Sequence, residues 1–265
     1  MSKTALKTDM VGREYDTKFG KCEIIHYRNS TKVTVRFKET AYETTVKLLD
    51  LERGKVRDRL LPSVYGVGVV GNKYKTGGEN KKIYSLWCDM LRRCFSDTYK
   101  LKYKTYKDCT CSENFKRYEY FYEWCNKQVG YDVGGFDIDK DLLIRENKVY
   151  SENTCVFLPK EINTVLIKHK CRRGKYLIGV YLDKDSNMFT SSINLGNSRR
   201  GIHLGLFNTE IEAFNAYKTA KENYLKELAE KWKSKIDERA YNALMNYEVS
   251  TVSYTHLTLP TSDLV

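Results

Sequence analysis

The stretch KYLIGVYLDKDSNMFTSSINLGNSRRGIHLGLFNTEIEAFNAYKTAKENY, residues 175–224, decides the fold of the C-terminal part of the chain. Its first half contains three strand-like runs, 177–182, 188–195 and 201–207, separated by segments rich in Gly, Asn, Asp and Ser. Short separators of this composition are typical of hairpin turns. The middle run alternates between two faces, which is the period of a half-buried antiparallel strand. The sequence therefore predicts a three-stranded antiparallel sheet.

A helix is predicted directly after these strands. Thr209, followed three residues later by Glu212, forms the pattern of a capping box. Ala213, Tyr217 and Ala220 then recur at helical spacing. We expect this helix to cover one face of the sheet, with Ser191 and Ile193 directed inward, and to leave the other face polar.

The predicted outer face lies in a basic segment. Lysines and arginines outnumber acidic residues between 172 and 200, and a DNA major groove admits a β-ribbon. This pattern favours DNA binding by the sheet, and a protein-contact module is the alternative. The candidate DNA contacts are Arg172, Arg173, Lys175, Tyr181, Lys184, Thr190, Ser192, Asn194, Arg199, Arg200 and His203.

The same stretch resembles the Apetala-2/ethylene-response-factor DNA-binding domain. The resemblance depends on Gly179-Val180, residues 189–193 and HLGLFNTEIEAFNAY at 203–217, which is close to the family form W-L-G-T-F-D-T-x-E-E-A-A-x-A-Y. In that family the strands read DNA and the helix supports them, so the resemblance implies that Tyr181 and the outward residues of the next two strands face DNA. The family's strand arginines are absent here, and its base specificity is therefore not expected.

Composition agrees with a polyanionic partner. The chain has 265 residues and a formal net charge of +12, with a pI of about 9.1. A net positive charge of this size is most often found in nucleic-acid-binding proteins, although a solvated lysine-rich surface is the simpler explanation. The 21 tyrosines, many of them next to Lys or Arg, suit stacking on bases and also ordinary half-buried packing.

The eight cysteines predict neither a disulfide framework nor a zinc site. Only Cys109 and Cys111 are close in sequence, and their spacing is poor for zinc. The start MSKTALKTDM lacks the apolar segment of a signal peptide, and no apolar run is long enough to span a membrane. We expect a cytoplasmic protein of a bacterial host cell with reduced thiols, no membrane partner and no small-molecule substrate.

Residues 134–163, GGFDIDKDLLIRENKVYSENTCVFLPKEIN, resemble the HNH or ββα-metal nuclease motif. Asp139-Lys140 takes the place of the family's Asp-His pair, Asn153 that of the middle Asn, and Asn163 that of the last ligand. The resemblance implies Asp139 and Asn163 as ligands of Mg²⁺ or another divalent metal, if the protein is a nuclease. Asp139, Asp141 and Asn153 are the candidate catalytic residues.

Lys140 leaves the enzymatic activity open. It stands where the family has its general-base histidine, and an ordinary lysine is protonated at pH 7 and cannot accept a proton. Cleavage would then require Asp141 or another group to act as the base. A second segment, residues 37–71, also resembles phage-encoded homing endonucleases of the HNH type.

The predicted fold class is α+β in three pieces. A small β-barrel, Tudor-like in shape, is expected at 1–65, followed by a flexible, basic, Gly-rich linker at 66–82. A helical domain with a degenerate ββα segment follows at 83–165, and the three-stranded sheet with one helix occupies 172–245. Residues 252–265, rich in Thr, Ser and Leu, resemble the read-through that ends some metagenomic reading frames, and we expect no role for them in the fold.

Three functions remain open from sequence. The first is double-stranded DNA binding by a phage or prophage protein, with the C-terminal sheet as the reading surface. The second is an active metal-dependent homing endonuclease of the HNH type. The third is RNA or ribosome binding, which the basic composition also permits.

Overall fold

The structure, a computed structural model, describes residues 10–166, 175–195 and 201–250. The chain forms two compact units: unit 1 contains Met1–Lys127 and Asn147–Thr154, and unit 2 contains Gln128–Glu146 and Cys155–Val265. Helices and mainly antiparallel strands occur in both, which confirms the α+β class. Arg172, Arg173, Arg199, Arg200 and the segment 252–265 lie outside the described residues.

Unit 1 begins with an antiparallel sheet of four strands in chain order. They are β1 (Glu14–Thr17), β2 (Gly20–Asn29), β3 (Lys32–Phe37) and β4 (Glu43–Val46). Alternation in β2 and β3 buries Cys22, Ile24, Val33, Val35 and Phe37 on one face. Helix α1 (Leu48–Glu52) places Leu51 in the same core, and Val56 follows it.

The predicted N-terminal barrel is wrong for the described strands. Its sheet stays open, because β1 pairs only with β2 and β4 pairs only with β3. Closure would require the two edge strands to pair with each other at a suitable tilt and stagger. Here α1 and the chain after it cover the apolar face instead.

The rest of unit 1 is mostly helical. Its elements are β5 (Pro62–Val64), β6 (Gly68–Val69), α2 (Lys81–Phe95), α3 (Asp97–Lys102), β7 (Thr110–Cys111), α4 (Tyr118–Asn126) and β9 (Val149–Tyr150), with 3-10 turns at Gly78–Asn80, Lys104–Tyr106 and Asn114–Lys116. Its core is built around the buried side chains of Trp87, Phe115 and Phe121. The indole Nε1 of Trp87 donates to the carbonyl of Phe115 at 2.8 Å.

Residues 66–82 pack on the helical core rather than forming an extended linker. A Cβ on Gly68 would lie 2.5 Å from Leu91 Cδ1, so a glycine is required for this close approach. The backbone N–H of Lys73 donates to Glu119 at 2.6 Å, and Tyr74 stacks on Tyr122 with ring centroids 4.0 Å apart.

Unit 2 contains two arrangements of strands with a helix. In the first, β8 (Phe136–Asp139) pairs antiparallel with β10 (Val156–Pro159), and α5 (Lys160–Leu166) follows β10 directly and contacts both strands. Glu161 of α5 accepts hydrogen bonds from Lys231 Nζ at 2.7 Å and Trp232 Nε1 at 3.0 Å. These two contacts join α5 to the C-terminal part of the same unit.

The second arrangement is the predicted three-stranded antiparallel sheet, in the order β11 (Val180–Asp183), β12 (Met188–Ile193) and β13 (Ile202–Phe207). Helix α6 (Glu210–Trp232) contacts all three strands and is followed by α7 (Glu238–Met245). The predicted capping box is confirmed, since Thr209 and Glu212 hydrogen-bond each other's backbone N–H. Among the described helices, none combines the length and the apolar character needed to cross a membrane.

Gly179 allows the sheet to approach α6 closely. Its φ is +82°, and an added Cβ would lie 2.1 Å from Cδ2 of Tyr217. Any other residue would be strained by the backbone conformation and would collide with the Tyr217 ring. This glycine therefore helps to fix where the first strand lies on the helix.

Candidate nucleic-acid interface

The strand register assigns residues to the outer face of the C-terminal sheet. Thr190 lies opposite Tyr181 on one side and Leu206 on the other, and Ser192 lies opposite His203. Directly opposed residues of antiparallel strands share a face. Phe207, which lies opposite Phe189 in the register, lines a cavity together with Ala216 and Ala220 of α6. The alternate row, formed by Thr190, Ser192 and the residues opposite them, therefore faces away from α6.

Most of the predicted contact residues on this face are accessible. Tyr181 is 49% exposed, Asn194 and His203 are exposed, and Ser192 is half-buried. Side-chain amides, imidazoles and hydroxyls are the groups that hydrogen-bond base edges. The structure therefore places four of the predicted contacts at or near one surface.

Thr190 is the exception, because it is only 3% exposed. It belongs to the central strand, where Tyr181 and Leu206 flank it across the register. The expectation that Thr190 presents its hydroxyl to DNA is not met.

A β-bulge changes the outer face near His203. Ser191 is opposite Gly205, but Ser192 is opposite His203, so Leu204 has no partner in the register. Bulges of this kind increase the local twist and redirect a side chain. Gly205 has a φ of +138°, and a glycine within a strand pattern is the one sequence signal that indicated this irregularity.

Two of the predicted lysine contacts lie within the described residues. Lys175 and Lys184 are exposed, and Lys184 belongs to the turn between β11 and β12. Asp183 organises this turn by accepting the backbone N–H of Asp185 at 3.1 Å and the hydroxyl of Ser186 at 2.9 Å. Those hydrogen bonds lower the pKa of Asp183. The negative charge of Asp183 partly offsets the positive charge of the neighbouring Lys184.

The residues of the ββα segment are arranged differently from a metal site. One carboxylate oxygen of Asp139 accepts the backbone N–H groups of Asp141 at 2.9 Å and Leu142 at 2.8 Å. Burial raises the pKa of Asp139, and these hydrogen bonds oppose the shift. Lys140 is 5% exposed, and its ammonium pairs with Asp141. A buried lysine paired with Asp141 therefore stands where the nuclease motif has its general-base histidine.

This donor set does not fit a divalent cation. Asn163, the second predicted ligand, is half-buried within α5, and Asn153, a candidate catalytic residue, is exposed. Across the described residues, no three His, Cys, Asp or Glu side chains are grouped so that they could hold a metal ion. A cation at Asp139 would also lie next to the positive charge of Lys140.

Comparison of the chain with models of known protein families, with curated proteins and with solved structures gives no significant match.

Proposed function

We propose that this protein binds double-stranded DNA through the outer face of the sheet β11–β12–β13. The observation that carries the proposal is the pairing in register of Ser192 with the exposed His203, with the exposed Asn194 two residues after Ser192. A twisted sheet of this width is compatible with the major groove. The net charge of +12 supports a polyanionic partner.

The side chains of this surface would contact two parts of the DNA, the base edges and the phosphates. The amide of Asn194 is suited to adenine, and the imidazole N–H of His203 can donate to a guanine acceptor. We assign the exposed Lys175 and Lys184 to phosphate oxygens, since phosphate contacts fix orientation without reading sequence. Arg172, Arg173, Arg199 and Arg200 remain predicted phosphate contacts outside the described residues.

The resemblance to the Apetala-2/ethylene-response-factor domain adds to this proposal. Both share the order of three antiparallel strands followed by a supporting helix. We also propose that β8, β10 and α5 derive from the ββα segment of a phage homing endonuclease of the HNH type. With Lys140 buried and paired, we expect no cleavage of plasmid DNA with Mg²⁺ or Mn²⁺, and metal-dependent nicking by the purified protein would overturn that expectation.

The test begins by selecting a preferred duplex from a random pool and measuring affinities by fluorescence anisotropy. Asn194→Ala or His203→Ala should cost about 1–3 kcal/mol on the preferred site and less on random duplexes. Lys175→Ala with Lys184→Ala should weaken all duplexes alike and flatten the salt dependence. Lys226→Ala is the matched control, since Lys226 is an exposed lysine on α6.

Two results would contradict the proposal. One is an unchanged ratio of specific to random affinity in both Asn194→Ala and His203→Ala, which would mean that the sheet does not read sequence. The other is stronger competition by structured RNA than by duplex DNA, which would favour the RNA-binding alternative.

A further inference from the structure

Unit 1 has a second basic surface, remote in sequence from the C-terminal sheet. Residues 81–107 contain eight Lys or Arg and only two acidic residues. We call the part formed by α3 and the 3-10 turn Lys104–Tyr106, together with Arg92, Arg93 and Lys107, the tyrosine–lysine surface. Lys102, Lys104 and Lys107 are exposed on it.

Three tyrosines form a connected group within this surface. The ring of Tyr99 lies 4.6 Å from that of Tyr103 and 5.6 Å from that of Tyr106, between centroids. The guanidinium of Arg92 lies 4.9 Å from the centre of the Tyr99 ring, and that of Arg93 lies 5.6 Å from the centre of the Tyr106 ring. Aromatic and cation–π contacts of this kind hold the rings in place.

The apolar parts of the surface are unusually accessible. Leu101, within α3, is 79% exposed, and Tyr103, the C-cap residue of α3, is 42% exposed. Lys102 Nζ lies 5.4 Å from the centre of the Tyr103 ring, so positive charge and exposed ring are adjacent. Exposed apolar side chains next to positive charges suit a partner that combines flat apolar faces with regularly spaced negative charges.

We propose that the tyrosine–lysine surface binds single-stranded nucleic acid. An unpaired base can stack on Tyr103 and contact Leu101, while Lys102, Lys104 and Lys107 neutralise the phosphates that follow. A duplex would use only the charges, because its bases are already stacked on each other and their faces are not available. The exposed ring and leucine therefore favour a single strand over a duplex.

The test uses the full chain and a labelled 15-nucleotide dT strand in fluorescence anisotropy. Tyr103→Ala should weaken binding by about 5- to 150-fold, which is the usual contribution of one stacked base. Tyr103→Phe keeps the ring and should retain affinity within about threefold. Melting temperatures of both variants check that unit 1 is folded, and Tyr103 is exposed enough for both to fold.

Charge is tested by a matched pair of triple variants. Lys102→Ala/Lys104→Ala/Lys107→Ala should reduce the slope of log affinity against log salt by about 2, since each phosphate contact on a single strand contributes about 0.7. The control, Lys18→Ala/Lys32→Ala/Lys47→Ala, removes three exposed lysines of the N-terminal sheet region. It should leave the slope unchanged.

Four outcomes would overturn the inference: no binding of the dT strand, equal losses in Tyr103→Ala and Tyr103→Phe, equal slope changes in the two triple variants, or competition by poly-glutamate as effective as that by the oligonucleotide. The last would show that charge alone is recognised and would favour an acidic protein partner. A failure of single-strand binding can be distinguished from a failure of duplex binding, because His203→Ala should weaken duplex binding and leave binding of the dT strand unchanged.

Discussion

Replacing Ile193 and His203 by alanine tests which face of the C-terminal sheet is available to DNA. Ile193 is 4% exposed and lies on the α6 side of β12, whereas His203 is exposed on β13 and opposes Ser192. Removing a buried isoleucine side chain costs about 2–5 kcal/mol, from lost burial and the cavity that remains. Removing an exposed side chain usually changes stability by less than about 0.5 kcal/mol.

The two variants should therefore behave oppositely in two assays. Ile193→Ala should lower the free energy of unfolding of unit 2 by about 2–5 kcal/mol, with Ile193→Val as a milder control at about 0.5–1.5 kcal/mol. The folded fraction of Ile193→Ala should still discriminate the preferred duplex. His203→Ala should keep its stability and lose about 1–3 kcal/mol of affinity for the preferred duplex.

Stability is measured by denaturant unfolding together with hydrogen exchange of peptides from β12 and β13, because exchange reports on unit 2 separately from unit 1. Equal destabilisation by Ile193→Ala and His203→Ala would show that His203 contributes to packing. That result would refute the assignment of the outer face and the DNA-reading proposal with it.

Three further predictions concern the parts that support the site. Gly179→Ala should destabilise unit 2 by about 2–4 kcal/mol through its positive φ and the collision with Tyr217, whereas Gly134→Ala, which has open space at its Cβ, should be nearly neutral by melting temperature. The hydrogen bond from Lys231 lowers the pKa of Glu161, with burial opposing the shift, so its stabilisation is present above the ordinary carboxyl pKa and is lost as the pH falls through the lowered value. Glu161→Gln should therefore lower the melting temperature at pH 7 and have a progressively smaller effect as the pH falls through the lowered pKa, and an effect that stays constant throughout acid titration would contradict the ion pair. Deleting 252–265 should leave folding and DNA binding unchanged, and a lower melting temperature on truncation would show that this segment is native.

Local sequence patterns were sufficient for the C-terminal arrangement. The period-2 alternation, the turn-forming separators and the capping box of Thr209 and Glu212 each depend on residues close in the chain, and the structure confirms the sheet, the helix and the cap. The inward phase of Ser191 and Ile193 also followed from alternation. Interactions over a few residues determine these features, so they can be predicted without tertiary contacts.

Which side chains are accessible, and whether the N-terminal sheet closes into a barrel, was decided only by the tertiary structure. Thr190 had the outward phase but is buried, and the residues opposite it, Tyr181 and Leu206, come from different strands. Lys140 looked like an isolated replacement for a histidine until its burial and its pairing with Asp141 were known. The N-terminal strands had the pattern of a barrel, yet α1 covers the apolar face and the sheet stays open. Each outcome depends on which residues distant in sequence occupy the space next to a side chain, and no local period contains that information.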